Sequence, residues 1–563
     1  MKAIKLALLA LVSAGPLDAA AQSLPGDAAT TCVVAPAQFS GWFVGGSVSA
    51  DGAVNPADSL NFPNVPNCSF YQWSEQMFLW LNSPAPANYG GGGGRVFDSP
   101  TFYDVSVLSN GQRTFLPHVP GRVRVFNVRV AQVGPHGLPA VVDPSMHKLV
   151  ELVRPQSGPN GKTLIRGKSG AMVEVERFKI GSNGKPLFLD KAGKTIAPKL
   201  DAKGLPVLND ANGKPIQIQK ILRGPGGRPI FIDGNGHVID IEQGQAGGGG
   251  VLMAQNGSLV YYAMQVNDVY AYFTTGAKDG GITPTPTQFP TTQTDLTKIV
   301  NFAQQKGKTF PDPNALAVEV KSAWIEASGL DTSKYITMKA VIPTYDTSNP
   351  AEWKPNGSKE ATLVMMGMHV VGSTAGHPEM IWATFEHEGN TPLATYSYNS
   401  TGNPSLKTVQ ASTAGNWLFA ATNSAAPFNV ERMDVSQDPP NIKAESGQTI
   451  GPSNTQRLSA WGDAGGTGSA SKNTEVISIN NSVLGQLAAG DVRKNYQFVG
   501  ATWTIFGAPP SGSNQVGTNL MSNSTLETYQ QPSNCFDCHV GNPPNGLNPD
   551  GISHIFGALQ PLP

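Results

Sequence analysis

Charged side chains are scarce and nearly balanced in this chain: Asp, Glu, Lys and Arg make up 14% of the residues, with 39 basic against 40 acidic groups. An average soluble domain carries about a quarter. The formal net charge of -1 removes any electrostatic reason to expect a nucleic acid or an anionic membrane as partner. Long apolar runs are missing too, with no stretch of 18 or more uninterrupted apolar residues, so no membrane span is expected. A Gly-x-Ser-x-Gly elbow, a Gly-x-x-x-x-Gly-Lys-Ser/Thr loop and a His-Glu-x-x-His helix are all absent. Hydrolase and nucleotide-binding readings fall with them. Cysteine is the rarest residue of all, with four in 563.

Glycine and proline, by contrast, are abundant at 63 and 45 residues, so turns and loops are plentiful. The length allows two to four ordinary domains or one large core with insertions. The chain begins Met1-Lys2-Ala3-Ile4-Lys5, runs apolar from Leu6 to Val12 and reaches Ala19-Ala20-Ala21 before Gln22. That is a charged start, a short apolar region and a small-residue cleavage site, which predicts export to the periplasm or beyond, with a cut between Ala21 and Gln22.

The pattern divides the chain into a signal peptide (1–21), an N-terminal segment (22–136), a hairpin-rich insertion (137–250), a β body (251–510) and a C-terminal segment (511–563). Two of the cysteines, Cys32 and Cys68, stand 36 residues apart in the N-terminal segment. In an oxidising compartment they predict a disulfide. Phe70, Trp73, Met77, Phe78 and Trp80-Leu81 recur at near-helical spacing and predict an amphipathic helix over 69–81, with its aromatic stripe in the core.

In the insertion a short unit recurs from Gly184, Gly204 and Gly227: Gly, Pro two residues later, a β-branched or aromatic run, then Asp190, Asp210 or Asp233. Each reads as a strand between turns, and the aspartates read as turn formers before calcium ligands. Further on, Asp295–Lys306 reads as a helix capped by Thr294. Strands are expected over 316–324, 335–342, 361–371, 380–385 and 497–506, and a short helix over 482–489, started by Asn480 or Asn481, on the edge of the body. The fold class that follows is mainly β: a large antiparallel body with a β-hairpin insertion, few helices and a short C-terminal segment.

That last segment holds the other two cysteines, in Cys535-Phe536-Asp537-Cys538-His539. This is the spacing of haem c attachment, in which thiols three apart on one tight turn each add to a vinyl group and the following histidine lies under the iron. It predicts one covalent haem c, with Cys535 and Cys538 as thioether anchors and His539 as proximal ligand. A redox Cys-x-x-Cys pair would need a βαβ context, and a zinc site further thiols.

Met368-His369-Val370-Val371-Gly372-Ser373, His377 to His387 and Ile552-Ser553-His554-Ile555-Phe556, together with the terminal motif, resemble a family of exported bacterial monohaem proteins known as cytochrome c family proteins. The resemblance implies export and haem and supplies no reaction. Only 24 residues follow His539, too few for the ligand loop of a small cytochrome c, so the haem is expected to lean on the β body.

His554, 15 residues on, is the favoured distal ligand; Met521 is the weaker candidate and reads mainly as core. His369, His377, Glu379, Glu386 and His387 fall within 19 residues of strand-like sequence and read either as a second metal site, a distal haem ligand or acid–base groups, or as polar groups satisfied at strand ends. Alternation places Glu386 and His387 on opposite faces. Electron transfer to a periplasmic redox partner is the leading functional expectation, and a peroxidase- or oxygenase-type haem enzyme with a pocket in the β body the alternative.

Overall fold

The computed structural model describes residues 23–126 and 251–563 apart from 64–66, 91–93, 107–111, 120–122, 436–440, 446, 464, 511–513, 532–533, 538, 540–546 and 554; within 127–250 it describes short strands and little else. Residues 1–22 lie outside it, and with them the expected cleavage site; so do Cys538, His554, Asp190, Asp210 and Asp233.

Twelve strands form one sheet: β1 Phe102–Val105, β2 Phe115–Pro117, β3 Arg124–Val125, β4 Tyr261–Asn267, β5 Val318–Glu326, β6 Thr337–Asp346, β7 Glu352–Thr374, β8 His377–His387, β9 Met433–Val435, β10 Ile442–Ala444, β11 Tyr496–Thr504 and β12 Gln515–Gly517. Its main order is β2-β1-β4-β5-β7-β8-β11-β12, antiparallel throughout, with β6 and β10 pairing to β7 and β3 pairing parallel to β6. The class is mainly β, as the β-branched and aromatic runs imply.

The long β7 pairs with β6 over its first half and with β5 over its second, and a register shift between Ala323 and Trp324 in the latter pairing leaves Met366 as an extra residue. Arg124 on β3 reaches Asp104 on β1 at 3.0 Å and Asp98 at 3.0 Å, so the strand path from β1 through β7 to β3 curls back on itself. In the insertion, Pro186–Leu189 pairs with Arg177–Ile180, and Pro229–Ile232 with Leu222–Arg223 and Val238–Ile239, all antiparallel. The middle unit, around Leu205, lies outside the described residues.

Six helices occur among the described residues: α1 Pro36–Trp42, α2 Asn67–Leu81, α3 Asp268–Asp279, α4 Gln293–Gln305, α5 Ala470–Gln486 and α6 Pro549–Ile552. None is long and apolar enough to cross a membrane. On the inner face of the sheet α2 and α5 pack against Met365, Met368, Val370, Ile381, Phe385 and Phe498. Cys32 and Cys68 are joined in a disulfide that ties the N-terminal stretch to the first turn of α2.

Three local expectations are corrected. Helix α2 is buried almost all round rather than amphipathic, and takes even Glu75 into the core, where burial pushes its carboxyl well above the usual range. Helix α4 is capped by Thr292, whose side chain accepts from Asp295 N–H, because the acid one residue past Thr294 completes its first turn. Helix α5 begins at Ala470, twelve residues before the expected start, and lies in the core rather than at an edge.

Candidate haem site

The outer face of the sheet carries Glu319 and Lys321 on β5, His369 and Val371 on β7, and Met380, Trp382, Thr384 and Glu386 on β8. Register aligns Glu319 with Val371 and Trp382 in one transverse row, and Lys321 with His369 and Thr384 in the next. The C-terminal chain runs across these rows. Met521, Phe536, Ile552, Ile555, Phe556 and Leu559 share one buried cluster with Met380, Trp382 and Val371.

Polar contacts fix the stretch that leads into the motif. Asn523 donates from Nδ2 to Thr384 Oγ1 and Phe385 O, both at 3.1 Å, while its Oδ1 accepts from Thr525 and Leu526 N–H. Gly367 is what lets it approach: a Cβ there would stand 2.6 Å from Asn523 Nδ2. Glu386 accepts from Ser524 N–H and Oγ, both at 2.6 Å, and faces Arg457 at 3.5 Å. His369 Nε2 meets Glu527 Oε1 at 2.5 Å, and Glu527 accepts from Asn523 N–H through its other oxygen.

Cys535–Asp537 form a 3-10 turn, and His539 N–H donates to Cys535 O at 2.9 Å, closing a helical turn that puts residues 535 and 539 on the same side. Phe536 is buried beneath it. His539 Nδ1 lies 2.8 Å from Ile552 O, so its proton is on Nδ1 and its lone pair on Nε2. The indole of Trp382 lies against the ring, centroids 4.0 Å apart, with its own Nε1–H donated to Glu379 O at 3.0 Å.

These features fit a haem c: a half-buried thiol against an apolar cluster, and an imidazole in the tautomer that presents Nε2 to a metal. Lys278 of α3 closes the tail below by donating to Phe556, Gly557 and Leu559 carbonyls, and burial draws its ammonium down to about 8.

The three histidines of residues 369–387 are dispersed, as polar groups satisfied along the strands would be. His369 holds the tail through Glu527. His377 and Glu379 form a buried pair at 2.8 Å on the opposite face, the imidazole edge-on to Phe70 at 5.0 Å. His387 stacks on Tyr335. Glu386 and His387 face opposite sides of β8, as alternation requires. Met521 sits in the core cluster with Thr518 Oγ1 beside its sulfur. Among the described residues no group of three His, Cys, Asp or Glu side chains is arranged to hold a metal ion.

Sequence reasoning passed over Glu319, Tyr270 and Asn523, and met Trp382 and Ser553 only inside the segments that carry the resemblance, without a role; for Asn523 the local signal was Asn523-Ser524-Thr525, a run of turn-forming residues. Scans against protein-family models, curated proteins and solved structures found no match to this chain.

Proposed function

We propose that the chain is an exported c-type cytochrome, akin to the monohaem proteins it resembles, which carries one haem c through Cys535 and Cys538 with His539 as proximal ligand and passes electrons to a periplasmic redox partner. The observation that carries this reading is the attachment motif with its histidine already oriented: Nδ1–H is donated to a main-chain carbonyl, and Nε2 keeps the lone pair a metal needs. A bound haem supplies one-electron chemistry at iron. The chain's own part is to anchor it, exclude water with Phe536 and Trp382, and hold the imidazole still.

The test is retention of haem through acid–acetone extraction, since thioether bonds survive where axial coordination does not. Cys535→Ala with Cys538→Ala in the full chain should yield protein without covalent haem. Stoichiometric haem in that double variant would sink the proposal.

A second reading is a haem-dependent oxidoreductase of peroxidase or oxygenase type, supported by the size of the β body, which is larger than electron carriage by one haem requires. The ferric spin state separates the readings: low-spin six-coordinate iron favours the carrier, and high-spin iron that binds cyanide quickly favours the enzyme.

A further inference from the structure

Ser553 is fully buried, and its hydroxyl stands between two oxygens: Glu319 Oε2 at 2.6 Å and Tyr270 Oη at 2.8 Å. One hydroxyl proton serves one of them. With the carboxylate able only to accept, the order is Tyr270 O–H to Ser553 Oγ, then Ser553 O–H to Glu319. Burial raises the Tyr270 phenol well above its ordinary value, which keeps that donor protonated. Ser553 N–H is also committed, to Pro549 O at 2.8 Å in the last turn of α6.

The peptide between Ile552 and Ser553 is therefore held on one side by helix α3, through Tyr270, and on the other by strand β5, through Glu319. Its carbonyl is the one that accepts from His539 Nδ1. The same transverse row of the sheet supplies Glu319 and, two strands away, the Trp382 indole that packs on the imidazole.

We propose that Glu319, Ser553 and Tyr270 act as a positioning clamp for the proximal histidine, setting the strength of the His539 Nδ1–H bond to Ile552 O and through it the reduction potential of the bound haem. This rests on the haem reading above. A firm acceptor on Nδ1–H makes Nε2 a stronger donor to iron and favours the ferric state. Loosening the carbonyl weakens that donation and raises the midpoint potential.

The experiment uses the full-chain holoprotein and reads three quantities: haem stoichiometry, midpoint potential by redox titration, and solvent exchange of the His539 Nδ1 proton by NMR. In Ser553→Ala the haem content stays at one, the potential rises and exchange accelerates at least tenfold. Ser553→Thr keeps the hydroxyl and restores both values. Tyr270→Phe removes only the phenol oxygen and shifts both in the same direction by less, which keeps the test valid should Ser553→Ala fold poorly.

Three outcomes would overturn the clamp. One is a wild-type potential and wild-type exchange in Ser553→Ala and Tyr270→Phe with haem bound. Another is a potential that moves in Glu319→Gln alone, since that signature belongs to a through-space charge. The last is a wild-type protein without covalent haem, which removes the haem reading and the clamp together.

Discussion

The ring of His387 stacks on Tyr335 with centroids 4.2 Å apart, lies 3.2 Å from Lys334 O through Nε2 and accepts from Gly389 N–H at Nδ1. Burial draws its pKa down to about 3, so it stays neutral in the folded protein across the whole range in which it gains a proton when unfolded. The unfolded chain then binds more protons between about pH 6.5 and pH 3, and stability falls as the pH is lowered through that window. Denaturant titrations should show a loss from this site of about 2 kcal/mol between pH 7 and pH 5. His387→Gln should flatten that dependence, and an unchanged slope in the variant would place the titrating group elsewhere. His539 has the opposite tautomer because its neighbour at Nδ1 is a carbonyl rather than an N–H. The tautomer of neither is written in the residues beside it; each follows from the main-chain group that its Nδ1 meets in the fold.

Helix α5 shows why a segment rich in polar residues can still be core. Asn473, Thr474, Ser478 and Asn480 are all buried, each with a main-chain partner brought in by another element: Ser397 O, Asn399 N–H, Cys32 O and Phe498 O in turn. Asn480 donates from Nδ2 to Val476 O and to Phe498 O, and its Oδ1 accepts from Phe498 N–H, which staples the helix to β11. Asn480 and Asn481, expected to start a helix over 482–489, instead lie inside α5, because the cap preference and the cross-element bond call for the same residue type. Asn480→Leu leaves the Phe498 peptide without both partners and should cost about 2–4 kcal/mol in chemical denaturation. A loss below 0.5 kcal/mol would show that the staple is replaceable. Helix α3 was missed altogether: strand β4 runs straight into it at Asn267, with no Gly or Pro between them. Its turn of direction depends on Asn267 accepting from Tyr270 N–H while donating to Leu316 O.

For the molecule as a whole, the N-terminal stretch packs into the main core and is further tied to the rest by hydrogen bonds and by the disulfide. Hydrogen bonds join Cys32 and Val34 to Ser478 and Ser482 of α5, and the Cys32–Cys68 disulfide closes a loop of 36 residues. Loop closure of that length stabilises by about 3–4 kcal/mol. Replacing both cysteines by serine should lower the denaturation midpoint accordingly while leaving the content of the proposed haem unchanged, since the pair lies on the inner side of the sheet and the Cys535–His539 segment on the outer. An unaltered midpoint would mean that the noncovalent contacts suffice.

What is written locally or covalently was legible in the residues alone: a β-rich body from its β-branched and aromatic runs, a disulfide from two isolated cysteines, a helix expected over 69–81 and found over Asn67–Leu81, and the Cys-x-x-Cys-His spacing that carries the haem proposal. Strand alternation also settled that Glu386 and His387 cannot share a site. Only the tertiary structure decided what surrounds His539. Glu319 and Ser553 are 234 positions apart, and Trp382 is brought into one transverse row with Glu319 by the register of three strands. Local sequence specifies neither register between distant strands nor the face of the sheet on which a tail will lie. Those follow from which packing buries Met380, Trp382, Phe536, Ile552 and Ile555 together while giving each buried polar group a partner.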